Sequence, residues 1–150
     1  MTLPEFDRRG MLPPGIYSVN WLEFTERFGN SPRRKQLLDG LLIALRLLQS
    51  AGCGLVFVDG SFVTAKHTPG DYDACWGVKG VDPDLLNPVF LNFDNGRAAQ
   101  KERFAGEFFP AELPEGESGQ TFLDFFQTNK DDGSRKGIVC LNLDILDLDE

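Results

Sequence analysis

The sequence predicts a single α/β (α+β) domain, with a small mixed β-sheet and helices packed mainly on one face. Its 150 residues are the size of one domain. Hydrophobic residues make up 41% of the chain and include 13 phenylalanines, enough for a core that needs no disulfides. Helical patterns alternate with short apolar runs, which is typical of domains that combine helices with a sheet. We therefore treat residues 1–150 as one domain, in which 1–31 form an N-terminal arm.

The first half of the chain predicts two helices followed by two strands. Ser31 and Pro32 mark the start of the longer helix, because serine is a favoured N-cap and proline fits the first helical position. Leucines recur along this helix at helical spacing, and Gly52 and Gly54 end it. The predicted elements are a short amphipathic helix over 21–28, a helix over 32–50, and strands over 55–58 and 71–77.

The second half predicts further helices and strands separated by loops. Residues 78–96 are rich in Pro, Asp and Asn and indicate a loop with one helical turn. Ser118 is the expected cap of a helix whose phenylalanines at 122, 125 and 126 would suit docking of a partner protein. The predicted elements are a helix over 97–104, a strand over 104–109, a helix over 119–128 and a strand over 137–146.

The composition restricts the classes of partner. A net charge of −8 weighs against broad nucleic-acid binding, because a basic face supplies most of that affinity. The charge leaves room for a nucleotide whose phosphates a bound cation offsets, and for a basic partner protein. Three scattered cysteines lack metal-ligand spacing and are typical of free thiols in a reducing compartment. No run approaches the ~20 apolar residues that span a bilayer, so we expect a cytoplasmic protein without membrane contact.

One stretch, DGSFVTAKHTPGDYDACW from Asp59 to Trp76, carries most of the functional information. Asp71 and Asp73 stand two residues apart in a strand-like segment, so their side chains are expected on one face. Two adjacent carboxylates repel each other unless they share a cation, and Mg²⁺ prefers oxygen ligands. A Gly-Ser turn after an apolar run can bring backbone N–H groups close to an anion. Together these features indicate nucleotide chemistry.

The order of an apolar strand, Gly-Ser, about ten residues and Asp-x-Asp resembles the nucleotidyltransferase superfamily that includes DNA polymerase β. The similarity is closest to its minimal single-domain bacterial members. LPPGIY, RRKQLLDGLLIALRLL and the closing KGIVCLNL add to it and look like a group of uncharacterised nucleotidyltransferase-like bacterial proteins. Members of that group often lie beside mobile-element or toxin–antitoxin genes. The resemblance spans about residues 11 to 143.

The resemblance implies a phosphate turn at Gly60 and Ser61, with Lys66 in the following loop as a further phosphate contact. Here Phe62 follows Gly-Ser where active minimal members usually have a small or basic residue before a second glycine. We expect the Phe62 ring to pack below the turn. His67 beside Lys66 is either a solvated loop residue or a neighbour of the phosphates.

The resemblance also implies a metal site and a reaction. Asp71 and Asp73 would be the first two ligands of Mg²⁺ or Mn²⁺, although both are also common turn and capping residues. The third carboxylate would be Glu107, with Asp144 as the alternative. Asp59 is expected to be a backbone-capping residue instead. The implied activity is two-metal transfer of a nucleoside monophosphate from an NTP to an acceptor.

Two other functions remain compatible with the same residues. In one, the chain keeps the fold and serves as an antitoxin or regulatory partner of a protein encoded nearby. Alternatively it binds a nucleotide without turnover. Arg97, Lys101 and Arg103 are expected to form a solvated helix face or to contact a triphosphate, and Cys75 to be a buried neighbour of the site.

Overall fold

The computed structural model describes residues 3–129 and 131–145, and these form a five-stranded sheet with four helices. The strands are β1 (Gly15–Val19), β2 (Leu55–Asp59), β3 (Tyr72–Trp76), β4 (Gly106–Pro110) and β5 (Gly137–Asn142). The helices are α1 (Trp21–Phe28), α2 (Pro32–Ser50), α3 (Asp94–Phe104) and α4 (Phe122–Phe125). This is the mixed α/β fold that the sequence predicts.

The sheet order is β1-β5-β2-β3-β4. Strand β2 runs antiparallel to both of its neighbours, β5 and β3. Each edge strand is parallel to the strand beside it, β1 to β5 and β4 to β3. The sheet is therefore mixed, with β2 at its centre.

Helices cover mainly one face of the sheet, as predicted. The larger core cluster joins α1, α2 and α3 to the side chains of the strands that point to that face. The long helix α2 contributes fully buried leucines at 37, 41, 45 and 48. On the other face a smaller cluster contains Phe57, Cys75 and Phe109 and is covered by the single turn of α4.

The predicted helix over 119–128 is wrong. Only Phe122–Phe125 is helical, and Thr121 rather than Ser118 caps it, by accepting the backbone N–H of Asp124. Phe122 and Phe126 pack on the sheet, where their ring centroids lie 5.0 and 4.9 Å from that of Phe109. The segment therefore follows the apolar surface of the sheet instead of continuing as a helix.

Strand β1 was not predicted, since 12–15 reads as a turn and β1 pairs with β5 far away in sequence. Strand β4 begins two residues later than predicted, because Ala105 adopts a left-handed conformation that ends α3. The final strand ends at Asn142, so the predicted strand over 137–146 is too long; residues 146–150 lie outside the described part of the chain.

None of the helices in the described residues has the length and apolar character that a membrane span requires.

Candidate functional site

Three carboxylates stand side by side on three neighbouring strands. The register pairs Asp59 of β2 with Asp73 of β3, and Asp73 with Glu107 of β4. Paired residues on adjacent strands project to the same face, with Cβ atoms about 5 Å apart. We refer to Asp59, Asp73 and Glu107 as the carboxylate row. Asp71 directly precedes β3 rather than lying within it, and is half-buried.

The row concentrates negative charge in a partly buried place. Asp59 is only 3% exposed. Burial first, and then the nearby charges of Asp59, Asp71 and Glu107, raise the pKa of Asp73 to about 7, and the charge of Lys136 offsets only a part of this rise. A cation bound at the row would relieve this repulsion.

Three basic side chains of the protein lie around the row. Lys136 Nζ is 3.4 Å from Asp59 Oδ1, and Lys101 Nζ is 3.7 Å from Glu107 Oε1. The guanidinium of Arg97 lies 4.0 Å from the ring centroid of Phe109, and the charges of Glu107 and Asp73 act on it. In the described part of the chain no ion pair involves Asp73 itself.

The turn after β2 lies directly against the row. Gly60 has φ +88°, a conformation that favours glycine, and a Cβ atom there would be 3.2 Å from the backbone N of Asp73 and 3.3 Å from its Oδ2. Residues Ser61–Val63 form one 3₁₀ turn, which Thr64 closes with a 3.2 Å bond from its N–H to the carbonyl of Ser61. The predicted Gly-Ser turn therefore lies next to Asp73, the central residue of the row.

The bulky Phe62 anchors this turn from below. It is fully buried, and its ring centroid lies 5.8 Å from that of Phe24, 6.0 Å from that of Phe28 and 6.3 Å from that of Tyr72. The predicted packing of Phe62 beneath the turn is confirmed. A small residue at this position would not fill the same space.

Arg34 fixes the loop that follows the turn. Its side chain is buried and donates to the carbonyl oxygens of Phe62 at 2.6 Å, Thr64 at 2.8 Å and Lys66 at 2.7 Å. A fourth bond, of 3.2 Å, reaches the carbonyl of Phe28 at the end of α1. The backbone around Lys66 is thus held by α2.

A cleft of about 710 Å³ opens beside the turn and the row. Its lining includes all three predicted phosphate contacts, Gly60, Ser61 and Lys66, together with Asp73. Asp71 and Glu107 do not line it. The lining also includes Asp59, Lys136, Arg9, Phe125, Phe126 and Asn129. The cleft is large enough for a small-molecule ligand.

The alternative third carboxylate, Asp144, is wrong. Asn142 pairs with Leu55 at the beginning of β2, whereas Asp59 is at the end of that strand. Asp144 follows Asn142 and is therefore at the opposite end of the sheet, next to Gly54. Glu107, the other candidate for the third carboxylate, is paired with Asp73 and lies in the row.

Sequence reasoning missed Lys136, assigned Asp59 to a backbone cap, and left Arg97 open between a solvated helix face and a triphosphate contact. Asp59 is the last residue of an apolar strand. If the strand that contains Asp-x-Asp is assumed to pair antiparallel with it, Asp59 can be placed opposite Asp73. The only sequence signal for Lys136 is that it directly precedes the last strand, and this signal is weak. Arg97 reaches the site because the backbone at 95–97 is left-handed, which the pattern of a regular helix does not reveal.

The donor set fits Mg²⁺ in one particular manner. Within the described residues, no group of three or more His, Cys, Asp or Glu side chains is placed to hold a metal ion by itself. Mg²⁺, however, is commonly bound by one or two carboxylates together with water and substrate phosphates. Asp73, with Asp59 or Asp71 beside it, provides hard oxygen donors for that arrangement.

A family of unknown function, DUF6932, matches residues 4–142, and the chain belongs to this family. No curated protein and no solved structure matches the chain.

Proposed function

We propose that this member of the DUF6932 family is a Mg²⁺-dependent nucleotidyltransferase that moves a nucleoside monophosphate from an NTP to an acceptor. The observation that supports it most is the placement of the carboxylate row against the Gly60 turn, beside a cleft of nucleotide size. Negative carboxylates next to a phosphate-accommodating turn are expected where a cation and a triphosphate bind together.

Each residue has a role in this proposal. Asp73 holds Mg²⁺ or Mn²⁺ together with water and phosphate oxygens, with Asp71 or Glu107 as its second carboxylate ligand, and buried Asp59 lies in register with Asp73. When bound, the metal supplies positive charge to the phosphates and to the attacking oxygen. The absence of a side chain at Gly60 lets the triphosphate approach the backbone.

The remaining cleft residues serve the substrate. The hydroxyl of Ser61 and the ammonium groups of Lys66 and Lys136 lie on the cleft lining and would contact phosphate oxygens. The acceptor oxygen displaces pyrophosphate from the α-phosphorus. Phe125 and Phe126, which also line the cleft, provide apolar surface for the nucleoside.

Titration calorimetry with ATP, GTP, CTP and UTP, with and without Mg²⁺, tests the proposal. We expect metal-dependent binding of at least one nucleotide in the wild type and none in the double variant Asp71→Asn/Asp73→Asn. The double variant Asp39→Asn/Glu102→Gln, at exposed positions of α2 and α3, is the charge-matched control. If no nucleotide binds, or if the double variant binds as the wild type does, the proposal is wrong.

A second candidate function is nucleotide binding without turnover. The observation that favours it is that Lys136 and Lys101 already lie against two of the three carboxylates of the row. In that case a nucleotide binds equally well with and without Mg²⁺, and no pyrophosphate is released from any NTP. Pyrophosphate release by the wild type, absent from Asp73→Asn, rules this function out.

A further inference from the structure

A second cavity, separate from the carboxylate row, has a basic lining. Its volume is about 320 Å³, and its lining includes the side chains of Arg27, Arg34, Lys66 and His67. We call this cavity the basic pocket. Asn30 and Ser31, at the start of α2, add neutral polar groups, and no Asp or Glu in the described part of the chain belongs to the lining. This is unexpected in a chain whose net charge is −8.

The positive charges of the basic pocket have no carboxylate partners in residues 3–129 and 131–145. Within the described residues, none of the four basic side chains forms an ion pair. Arg34 is 4% exposed, and its bonds go to carbonyl oxygens. Arg27 donates to the carbonyl of Pro4 and lies 4.5 Å from the ring centroid of Phe6. Burial also lowers the pKa of Arg34, as expected for a charge without a counter-ion.

The basic pocket shares a wall with the cleft of the proposed active site. Thr64 and Lys66 line both cavities, so the two cavities adjoin at the loop after the Gly60 turn. A molecule held in the basic pocket would therefore lie next to a nucleotide in the cleft. Lys66 is placed to contact either of them.

We infer that the basic pocket binds a phosphate group of a small phosphorylated molecule, and that this molecule is the acceptor of the transfer reaction. Guanidinium and ammonium groups favour phosphate oxygens, with which arginine forms paired hydrogen bonds. The volume accommodates a phosphate ester rather than a long polymer, and the overall charge opposes a polyanion. The acceptor role rests on the proposed function, whereas the phosphate site does not.

His67 is the only histidine of the chain and reports directly on this pocket. The experiment follows its imidazole by NMR in the full-length, metal-free protein at fixed pH and ionic strength. Inorganic phosphate, AMP or adenosine is added in separate titrations. We expect saturable shifts with inorganic phosphate and AMP and none with adenosine. Tighter binding of AMP than of phosphate would indicate a nucleotide acceptor, and equal binding a site for the phosphate group alone.

Variants distinguish phosphate binding in the basic pocket from nonspecific attraction to positive charge elsewhere on the protein. Arg27→Gln is expected to weaken phosphate binding about tenfold, because one charged hydrogen-bond donor is lost. Lys35→Gln removes the same charge from an exposed position of α2 outside the pocket and is expected to change binding less than twofold. Arg27→Lys keeps the charge and should retain most of the affinity. Melting curves verify that each variant folds.

Two results would overturn the inference. One is a His67 signal that does not saturate with phosphate or AMP. The other is equal weakening by Arg27→Gln and Lys35→Gln. Asp73→Asn tests the proposed function separately from the phosphate site. This variant should leave the His67 shifts unchanged, because Asp73 does not line the basic pocket. If these shifts saturate while no NTP binds, the phosphate site stands and the transferase proposal falls.

Discussion

The α-carbon of Gly60 lies against Asp73 so closely that a Cβ atom would be 3.2 Å from the backbone N of that residue and 3.3 Å from its Oδ2. The contact joins the turn after β2 to the centre of the carboxylate row. A side chain at Gly60 would require Asp73 to shift by a few tenths of an ångström. The position of the turn and the position of the Asp73 carboxylate therefore depend on each other.

Gly60→Ala should consequently impair nucleotide binding more than folding. We expect a loss of stability of about 1–3 kcal/mol from the positive φ and the close contact, and at least tenfold weaker NTP binding. Calorimetry and urea unfolding provide the two measurements. Gly119→Ala is the matched control, since Gly119 also has a positive φ, of +81°, and no atom lies within 4 Å of the Cβ that the variant would add. Equal NTP affinity in both variants would contradict this prediction.

Asp73→Asn should stabilise the metal-free protein at high pH. The pKa of Asp73 rises from 3.8 to about 7 on folding, so the native state binds more protons than the unfolded state between these pH values. Stability of the wild type therefore falls as pH rises through this window. Above pH 7 we expect the variant to be more stable than the wild type by about 1–3 kcal/mol, and the difference to vanish near pH 4.

Urea unfolding between pH 4 and 8 in the presence of a chelator measures this effect. Asp39→Asn, on the exposed side of α2, should leave the pH profile unchanged. A wild-type stability that is flat from pH 4 to 7 would show that Asp73 is not held in an unfavourable charge environment.

Glu107→Gln should weaken Mg²⁺-dependent NTP binding by about tenfold, because it removes the charge of the ligand in register with Asp73. Glu102→Gln makes the same change at an exposed position of α3 and should have little effect. Asp144→Asn, at the opposite end of the sheet, should also be neutral. Calorimetry measures all three variants. A larger loss in Asp144→Asn than in Glu107→Gln would contradict the assignment.

Arg34→Met should release the loop after the Gly60 turn. The variant loses the donor to four carbonyl oxygens, and we expect a stability loss of about 3–5 kcal/mol. Hydrogen exchange should accelerate most over residues 62–70. Lys35→Met, at the next position and exposed, is the control for helix α2. Unchanged exchange in this loop would mean that Arg34 does not hold it.

Local signals in the sequence were sufficient for several elements. The bounds of α1 and α2 agree with the prediction to the residue, because caps and helical periodicity are properties of consecutive residues. Strands β2 and β3 were found within one residue at each end for the same reason. The helix over 119–128 failed because its phenylalanines are arranged to contact Phe109, a distant residue.

The sequence by itself determined the mixed α/β class, the long helix, the Gly-Ser turn and the candidate residues Asp73 and Glu107. Only the tertiary structure decided which carboxylates are neighbours, because strand register depends on pairing between residues far apart in the chain. The register of β2 with β3 places Asp59 in the row, and the register of β2 with β5 places Asp144 at the other end of the sheet. The basic pocket likewise exists only because the chain folds α1, α2 and the loop at Lys66 around one space.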